Sequence, residues 1–363
     1  MLLKSILDLA IEIQQIPAPT FHEERRAEFV HARFLAEGLA DTEIASPGNV
    51  YACLRSPHPV RPPLVVTAHL DTVFPFETDL SVRNEGSEIH APGIGDNALG
   101  VAALFGLIWA LKEEAITLSF DLWLVATVGE EGLGDLRGMK AVVERFGANI
   151  LAYLVLEGLS LGQIHHRALG VRRYRVTART AGGHSWSDYG KPSAIHELAE
   201  LIVAFNRLPL PKQARSTLNV GTIHGGISVN TIAAEASLEL DLRSERAETL
   251  DLLARQVERI CQQANRPGVL IEYNLIGKRP AGEIPALHPL VQIAKECLQA
   301  EGLEPRLVVG STDANIPLSR GLPALCLGLT TGGGAHTVHE YIRTAPLEHG
   351  MRQLLHLIRR LAG

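Results

Sequence analysis

The sequence predicts an α/β protein: an α/β/α catalytic-type domain on a mixed sheet, interrupted by a smaller α+β domain. Three observations carry that expectation. Apolar strand-like runs alternate with helical patterns at both ends of the chain, whereas the middle third alternates apolar and polar residues. The length of 363 residues also exceeds the roughly 250–300 at which a single hydrophobic core stops growing.

Helical spacing predicts helices near 2–15 and 22–38. Buried strands follow at PLVVTAH, SFDLWLVATV and NILAYLVLE, separated by helical patterns at 98–115 and 134–147. From about Leu169 the character changes: VRRYRVTART alternates, PSAIHELAELIVAFNRL reads as a helix, and STLNVGTIHGG and NTIAAEASLELDLR read as half-exposed strands. After a helix at about 246–265 and the strand GVLIEYNLI, the α/β pattern resumes through RLVVGST and LPALCLGL to a last helix ending at Leu361. The expected domains are 1–167 with 279–363, and an insertion at 168–278.

A formal charge of −6 gives no basic field, which argues against nucleic acid or an anionic membrane as the main partner. The four cysteines, Cys53, Cys261, Cys297 and Cys326, show no CxxC spacing, so buried thiols in a reducing cytoplasm are expected. Asp8 and Glu12 interrupt the N-terminal apolar residues, which recur at helical spacing and predict an amphipathic helix rather than a signal peptide. The longest apolar stretch, Gly100 to Leu111, falls short of the ~20 residues that span a bilayer, so no transmembrane segment is expected.

Chemistry-bearing residues gather on loops after apolar runs: His69 and Asp71 in VVTAHLDT, Asp96 in GIGDNALG, Glu130 and Glu131 in VATVGEEG, Glu157 in AYLVLEG, and His336 in GGGAHTVHE. Ligands of open α/β sheets collect at the carboxyl ends of strands, and all of these except Asp96 and His336 directly follow a strand-like run. Oxygen and nitrogen donors beside a spare carboxylate suit a hydrolase that binds two ions and activates water. Taken singly, an HxD or a Glu-Glu pair is as readily a turn, a cap or a solvated face. Gly93-Ile94-Gly95 lacks the third glycine of a dinucleotide fingerprint, and Ser311 and Asp313 in GSTDAN lack a GxSxG elbow, so that segment reads as a supporting loop.

Together the stretches VTAHLDTVF, GIGDNALGVAAL, VATVGEEGLGDLRGMK, VLEG, TAGGHSW, GGISVN to LDLR, GSTDANIPLSRGLPALCLG and GGGAHTVHEYI resemble the M20 family of metallopeptidases and deacylases over nearly the whole chain. The resemblance implies two divalent ions, zinc with manganese or cobalt as substitutes. His69, Asp96 and Glu157 would hold one ion, and Asp96, Glu131 and His336 the other, with Asp96 bridging and the Asp96–Asn97 peptide cis. Asp71 would orient His69 by a hydrogen bond. Glu130 would be the general base for a metal-bound hydroxide. His336 is preferred over His339 because it follows a Gly-rich stretch and precedes Glu340 by four residues, as in similar members.

The inserted domain resembles the family's lid or dimerisation domain, which implies a homodimer. His184 would reach a second subunit's site to polarise the scissile carbonyl, with capping of the helix around Pro192 as its bland alternative. Asn230 and Arg243 match positions that grip a substrate carboxylate, and His224 is a further candidate. The implied substrate is a small peptide or an N-acyl amino acid. Glu rather than Asp at 157 leans towards carboxypeptidase or deacylase action, whereas the Asp96 turn and GSTDAN also resemble peptidase T relatives, that is, aminopeptidases for di- or tripeptides. A noncatalytic dimeric binding protein is the alternative of another class, marked by loss of a ligand or of the base, and neither is lost here.

Overall fold

The apolar runs PLVVTAH, SFDLWLVATV, NILAYLVLE and LPALCLGL become the parallel centre of a mixed sheet in the computed structural model, which describes all 363 residues. Two units result: Met1–Ala168 with Glu283–Gly363, and Leu169–Gly282.

In the first unit the strands lie in the order Ala40–Ala45, Asn49–Leu54, Leu122–Thr127, Leu64–His69, Ala152–Glu157, Ala324–Gly328 and Gln163–Ala168. The middle four run parallel, and the flanking partners Asn49–Leu54 and Gln163–Ala168 join antiparallel. Leu64–His69 and Leu122–Thr127 are buried at every position, which explains their unbroken apolar sequences: a strand covered on both faces has no polar side. Helix Leu99–Glu113 packs against Leu64–His69 and Ala152–Glu157, with Leu2–Gln14 and Leu347–Ala362 beside it. Register then brings functional ends together, since His69 lies opposite Thr127 and Glu157 opposite Gly328.

Among the elements absent from the sequence-based expectation, several belong to the main sheet or lead into it. The hairpin Ala40–Ala45 with Asn49–Leu54 begins in a polar, largely exposed edge strand, and only its second, buried strand carries a short apolar run. Strand Gln163–Ala168 contains His165, His166 and Arg167, and helix Pro289–Ala300 precedes the edge strand Arg306–Gly310. The apolar helix also needs a correction. With the turn before it, Ile94–Glu113 is long and apolar enough to cross a membrane, but 89% of its most apolar window is buried inside the protein, where it serves as a core helix.

The second unit is a four-stranded antiparallel sheet in the order Ser216–Gly225, Glu235–Ser244, Gly170–Thr180 and Val269–Arg279. Helices Ala194–Asn206 and Ala247–Ala264 cover one face, closing a core that includes Val176, Leu198, Leu238, Leu240, Leu253 and Val257. Val269–Arg279 pairs as far as Arg279↔Val171, with a register shift between Leu275 and Gly277, and this unit spans Leu169–Gly282 where the sequence suggested 168–278. The other face carries cross-strand ion pairs: Arg173 with Asp241, Arg175 with Glu239 and Arg179 with Glu235. All four cysteines are buried thiols.

Candidate metal centre

Strand ends of the first unit set the site. His69 is the last residue of its strand and Glu157 of its own, while Glu130 and Glu131 follow Leu122–Thr127. Asp96 and His336 come from irregular turns. The Asp96–Asn97 peptide is cis, and His336 takes a positive φ of 64°.

These side chains divide into two groups that share one carboxylate. His69 Nε2 lies 3.0 Å from Asp96 Oδ1 and 3.7 Å from Glu157 Oε2. His336 Nε2 lies 3.1 Å from Asp96 Oδ2 and 3.1 Å from Glu131 Oε1. One ligand atom each from His69, Asp96 and Glu131 also fall within 4.8 Å of one another. Donors held about 2.0–2.1 Å from a tetrahedral ion stand roughly 3.3 Å apart, so both groups have the spacing of ligands around an ion. Imidazole and carboxylate donors suit zinc, manganese and cobalt alike.

Surrounding residues fix these donors. His69 Nδ1 donates to the backbone carbonyl of Asp71 at 3.0 Å, and the Asp71 carboxylate stands 3.5 Å away. The Asp71 main chain thus supplies the shorter orienting bond, and beside the same ring nitrogen stands the expected side-chain partner, the Asp71 carboxylate. It accepts the N–H groups of Glu130 at 3.0 Å and Glu131 at 2.9 Å, and the Thr20 hydroxyl at 2.9 Å. Buried Arg26 donates to Leu70 O at 2.6 Å and to Ile16 O. Glu23 Oε1 accepts the Gly129 N–H at 3.1 Å while binding Arg137, which steadies the start of the Glu130–Glu131 loop. In GSTDAN, Asp313 accepts the Thr127 hydroxyl at 2.6 Å beside His69. His339 is exposed and makes no contact with the metal-site carboxylates.

Electrostatics argue that the cluster draws positive charge. Bonds to Asp96 and then Glu131 push the His336 imidazole up to about 10. Burial opposes charge on His69, yet Asp71, Asp96 and Glu157 raise it well above the ordinary histidine value. Asp96 is held below the usual carboxylate range despite burial, by His336 and His69. Burial, reinforced by Asp96 and Glu131, pushes Glu157 up to about 7. Asp71 stays low against burial because of His69 and the Glu131 and Glu130 N–H groups. Burial also lowers Arg26 to about 10, with Asp71 resisting. The Cys326 thiol is raised well above its ordinary value, first by burial and then by the charge of Glu157.

The second unit brings together some of the expected residues. His184 and Thr231 are paired across two short strands, and the Asn230 carbonyl accepts the Ser185 N–H at 3.0 Å. His224 lies at the same end of the sheet, lining a cavity of about 500 Å³ with Gly182, Gly183 and Ser237. His184 Nδ1 accepts the Trp186 N–H at 3.2 Å. It therefore caps its own turn rather than the helix starting at Ala194, and its neutral form carries the proton on Nε2. Arg243 is not part of this group. It lies six residues along the strand from Ser237, roughly 20 Å at ~3.3 Å per residue, and its guanidinium is bound to Asp241 at 2.8 Å.

Thr20, Glu23 and Arg26 escaped the sequence reading, because each acts across the fold and carries no local motif. Glu340 marked the position of His336, and its spacing revealed nothing of the three N–H groups it accepts.

Comparison with known proteins matches residues 65–360 to the model of peptidase family M20/M25/M40. An M20 domain-containing protein of Schizosaccharomyces pombe is 35% identical over 218 residues, 58% of this chain and 51% of that protein. A probable carboxypeptidase of Aspergillus clavatus is 28% identical over 300 residues, 74% of this chain and 64% of that protein. The chain thus spans between half and two thirds of the length of these two relatives. Among solved structures, a tripeptidase of Staphylococcus aureus superposes with a TM-score of 0.84 at 23% identity, covering 99% of this chain and 98% of that one. Aminopeptidase PepT of Bacillus cereus gives 0.81 at 22% identity with 99% of both chains covered. YXEP of Bacillus subtilis, described as a dinuclear metal-binding peptidase, gives 0.70 at 15% identity over 98% of this chain and 97% of that one. The extent of the family match and the agreement in fold show that this chain belongs to peptidase family M20/M25/M40.

Proposed function

We propose that the protein is a two-metal hydrolase that cleaves an amide bond in a small peptide or an N-acyl amino acid. The observation that carries this reading is Asp96, whose two oxygens face different imidazoles, His69 at 3.0 Å and His336 at 3.1 Å. His69, Asp96 and Glu157 would hold one divalent ion, and His336, Asp96 and Glu131 the other, with zinc as the native metal. Such ions, when bound, polarise the scissile carbonyl and make water more acidic.

Glu130 is the general base in this reading. It takes a proton from the attacking water as the C–O bond forms, then passes it to the amide nitrogen as the C–N bond breaks. Its backbone is tied to Asp71, which keeps the base and the ligand Glu131 in fixed relation. His184, with its proton on Nε2, donates to the developing oxyanion in the site of a second copy, so the working unit is a homodimer formed through the second unit. Asn230 and His224 would line the substrate end of that unit, while Arg243 is left to its ion pair with Asp241. A cytoplasmic setting belongs to the same reading, supported by four buried thiols without a disulfide.

A second reading, aminopeptidase action on di- or tripeptides, is favoured by the named tripeptidase and aminopeptidase structures that cover 99% of this chain. Against it stand Glu157 and the probable carboxypeptidase relative. The deciding experiment restores zinc, manganese or cobalt to purified protein and screens free and N-blocked di- and tripeptides beside N-acyl amino acids. Cleavage only of peptides with a free amino end selects the aminopeptidase. Failure to bind any divalent ion would sink both readings and leave a binding protein.

A further inference from the structure

Glu340 sits four residues after His336 and is fully buried. Its carboxylate faces the turn that carries Asp96, some 245 residues away in sequence. Oε2 accepts the Gly93 N–H at 3.0 Å, and Oε1 accepts the N–H groups of Gly95 at 2.7 Å and Asp96 at 2.8 Å. The Glu340 backbone carbonyl accepts a fourth, from Ala91 at 3.0 Å. One residue therefore accepts four main-chain N–H groups of the segment from Ala91 to Asp96, while that of Ile94 goes to Ala91 O at 3.2 Å.

Asp96 is held from its other side too. The following Asn97 donates to Leu156 O at 2.8 Å, and its Oδ1 accepts the Gly158 N–H at 3.0 Å, directly after Glu157. The loop of His336 thus grips the turn of Asp96 through Glu340, and that turn grips the strand end of Glu157 through Asn97. Neither Glu340 nor Asn97 is among the ligand atoms.

We propose that Glu340 is a positioning residue that sets both oxygens of Asp96 at once, so that the two metal positions form or fail together. The proposal rests on the reading of Asp96 as a shared ligand. It goes beyond that reading by assigning the coupling to a residue that touches neither ion.

Glu340→Gln keeps the shape but turns an N–H donor towards the turn, where only acceptors are wanted. The test measures zinc stoichiometry and affinity by competition with a chromophoric chelator, records the visible spectrum of the cobalt-loaded protein, and follows thermal unfolding without metal. Expected is a loss of about 10–100-fold in affinity at both positions, the range for residues that support a metal ligand, with an altered cobalt spectrum. At saturating zinc, kcat should fall while KM stays within about threefold. His336→Ala, by contrast, should weaken one position only. Wild-type affinity at both positions in Glu340→Gln would overturn the proposal, even if the unfolding temperature falls, since that is what a purely structural carboxylate would show. If Glu340→Gln does not fold, Glu340→Asp is read in the same way. Asp96→Asn separates the two levels: wild-type binding there would defeat the shared-ligand reading itself, whereas loss there with full binding in Glu340→Gln defeats only the proposal for Glu340.

Discussion

His69 Nδ1 donates to the backbone carbonyl of Asp71 at 3.0 Å, and the other ring nitrogen, Nε2, faces Asp96 Oδ1 at 3.0 Å and Glu157 Oε2 at 3.7 Å. Because the main chain supplies that bond, Asp71→Asn should leave the His69 ring oriented. What it removes is an acceptor for the Glu130 and Glu131 N–H groups. We expect kcat to fall about 10–100-fold, with the loss in metal affinity larger at the Glu131 position than at the Glu157 position. Titration of the two ions separately checks this, and an equal loss at both would count against it.

Glu130→Gln should retain both ions and lose turnover by about 10²–10⁴-fold, the usual contribution of a general base. Elemental analysis beside steady-state kinetics provides the check. Substantial activity in the metal-replete variant would remove Glu130 from the mechanism.

Metal affinity should rise with pH. In the metal-free protein Asp96 and Glu131 keep His336 protonated up to about pH 10, and an ion must displace that proton. Between pH 6 and 9 the apparent zinc affinity should increase roughly tenfold per pH unit for each proton released. Stability of the metal-free protein runs the other way. The His336 contribution is fully present below the unfolded value of 6.5 and fades as pH rises through about 10. Calorimetric proton release in buffers of different ionisation enthalpy measures the first effect, and a pH-independent affinity would contradict it.

His336→Ala should reduce bound zinc to one equivalent and abolish most activity, whereas His339→Ala should change neither by more than about twofold, as is usual for an exposed side chain distant from the chemistry. Reversal of these two results would reassign the ligand.

Gly350→Ala tests packing apart from chemistry. A Cβ at this position in the last helix would meet the Leu329 carbonyl at 1.8 Å, so helix or strand end must shift. Overpacking of this kind costs about 1–3 kcal/mol, and the melting temperature should fall with the zinc stoichiometry unchanged. An unaltered melting temperature would show that the helix moves freely there.

Much of this molecule was legible in its sequence because the signals are local. Strands buried on both faces must be apolar throughout, so Leu64–His69, Leu122–Thr127 and Ala152–Glu157 stand out, and the residues that end them are read off directly. Half-exposed strands such as Glu235–Ser244 alternate, which separates the inserted unit from its flanks. The polar edge strand Ala40–Ala45 was silent, since an exposed edge strand leaves no periodic apolar pattern, whereas its partner Asn49–Leu54 is buried at five of six positions. Arg243 reads as a substrate clamp by motif, and strand register places it six residues along the strand from Ser237, with its guanidinium on Asp241.

By itself, then, the sequence determined the fold class, the family resemblance and a set of candidate donors, because burial and ligand chemistry both restrict residue type position by position. Tertiary structure alone decided that the Asp96 oxygens divide between His69 and His336, that a main-chain carbonyl orients His69, and that Glu340 and Arg26 support the site. Apart from the His69–Asp71 bond, those relationships join residues tens to hundreds of positions apart. Hydrogen bonds at such separations depend on where the packed strands and turns finally stand, and no spacing along the chain encodes that.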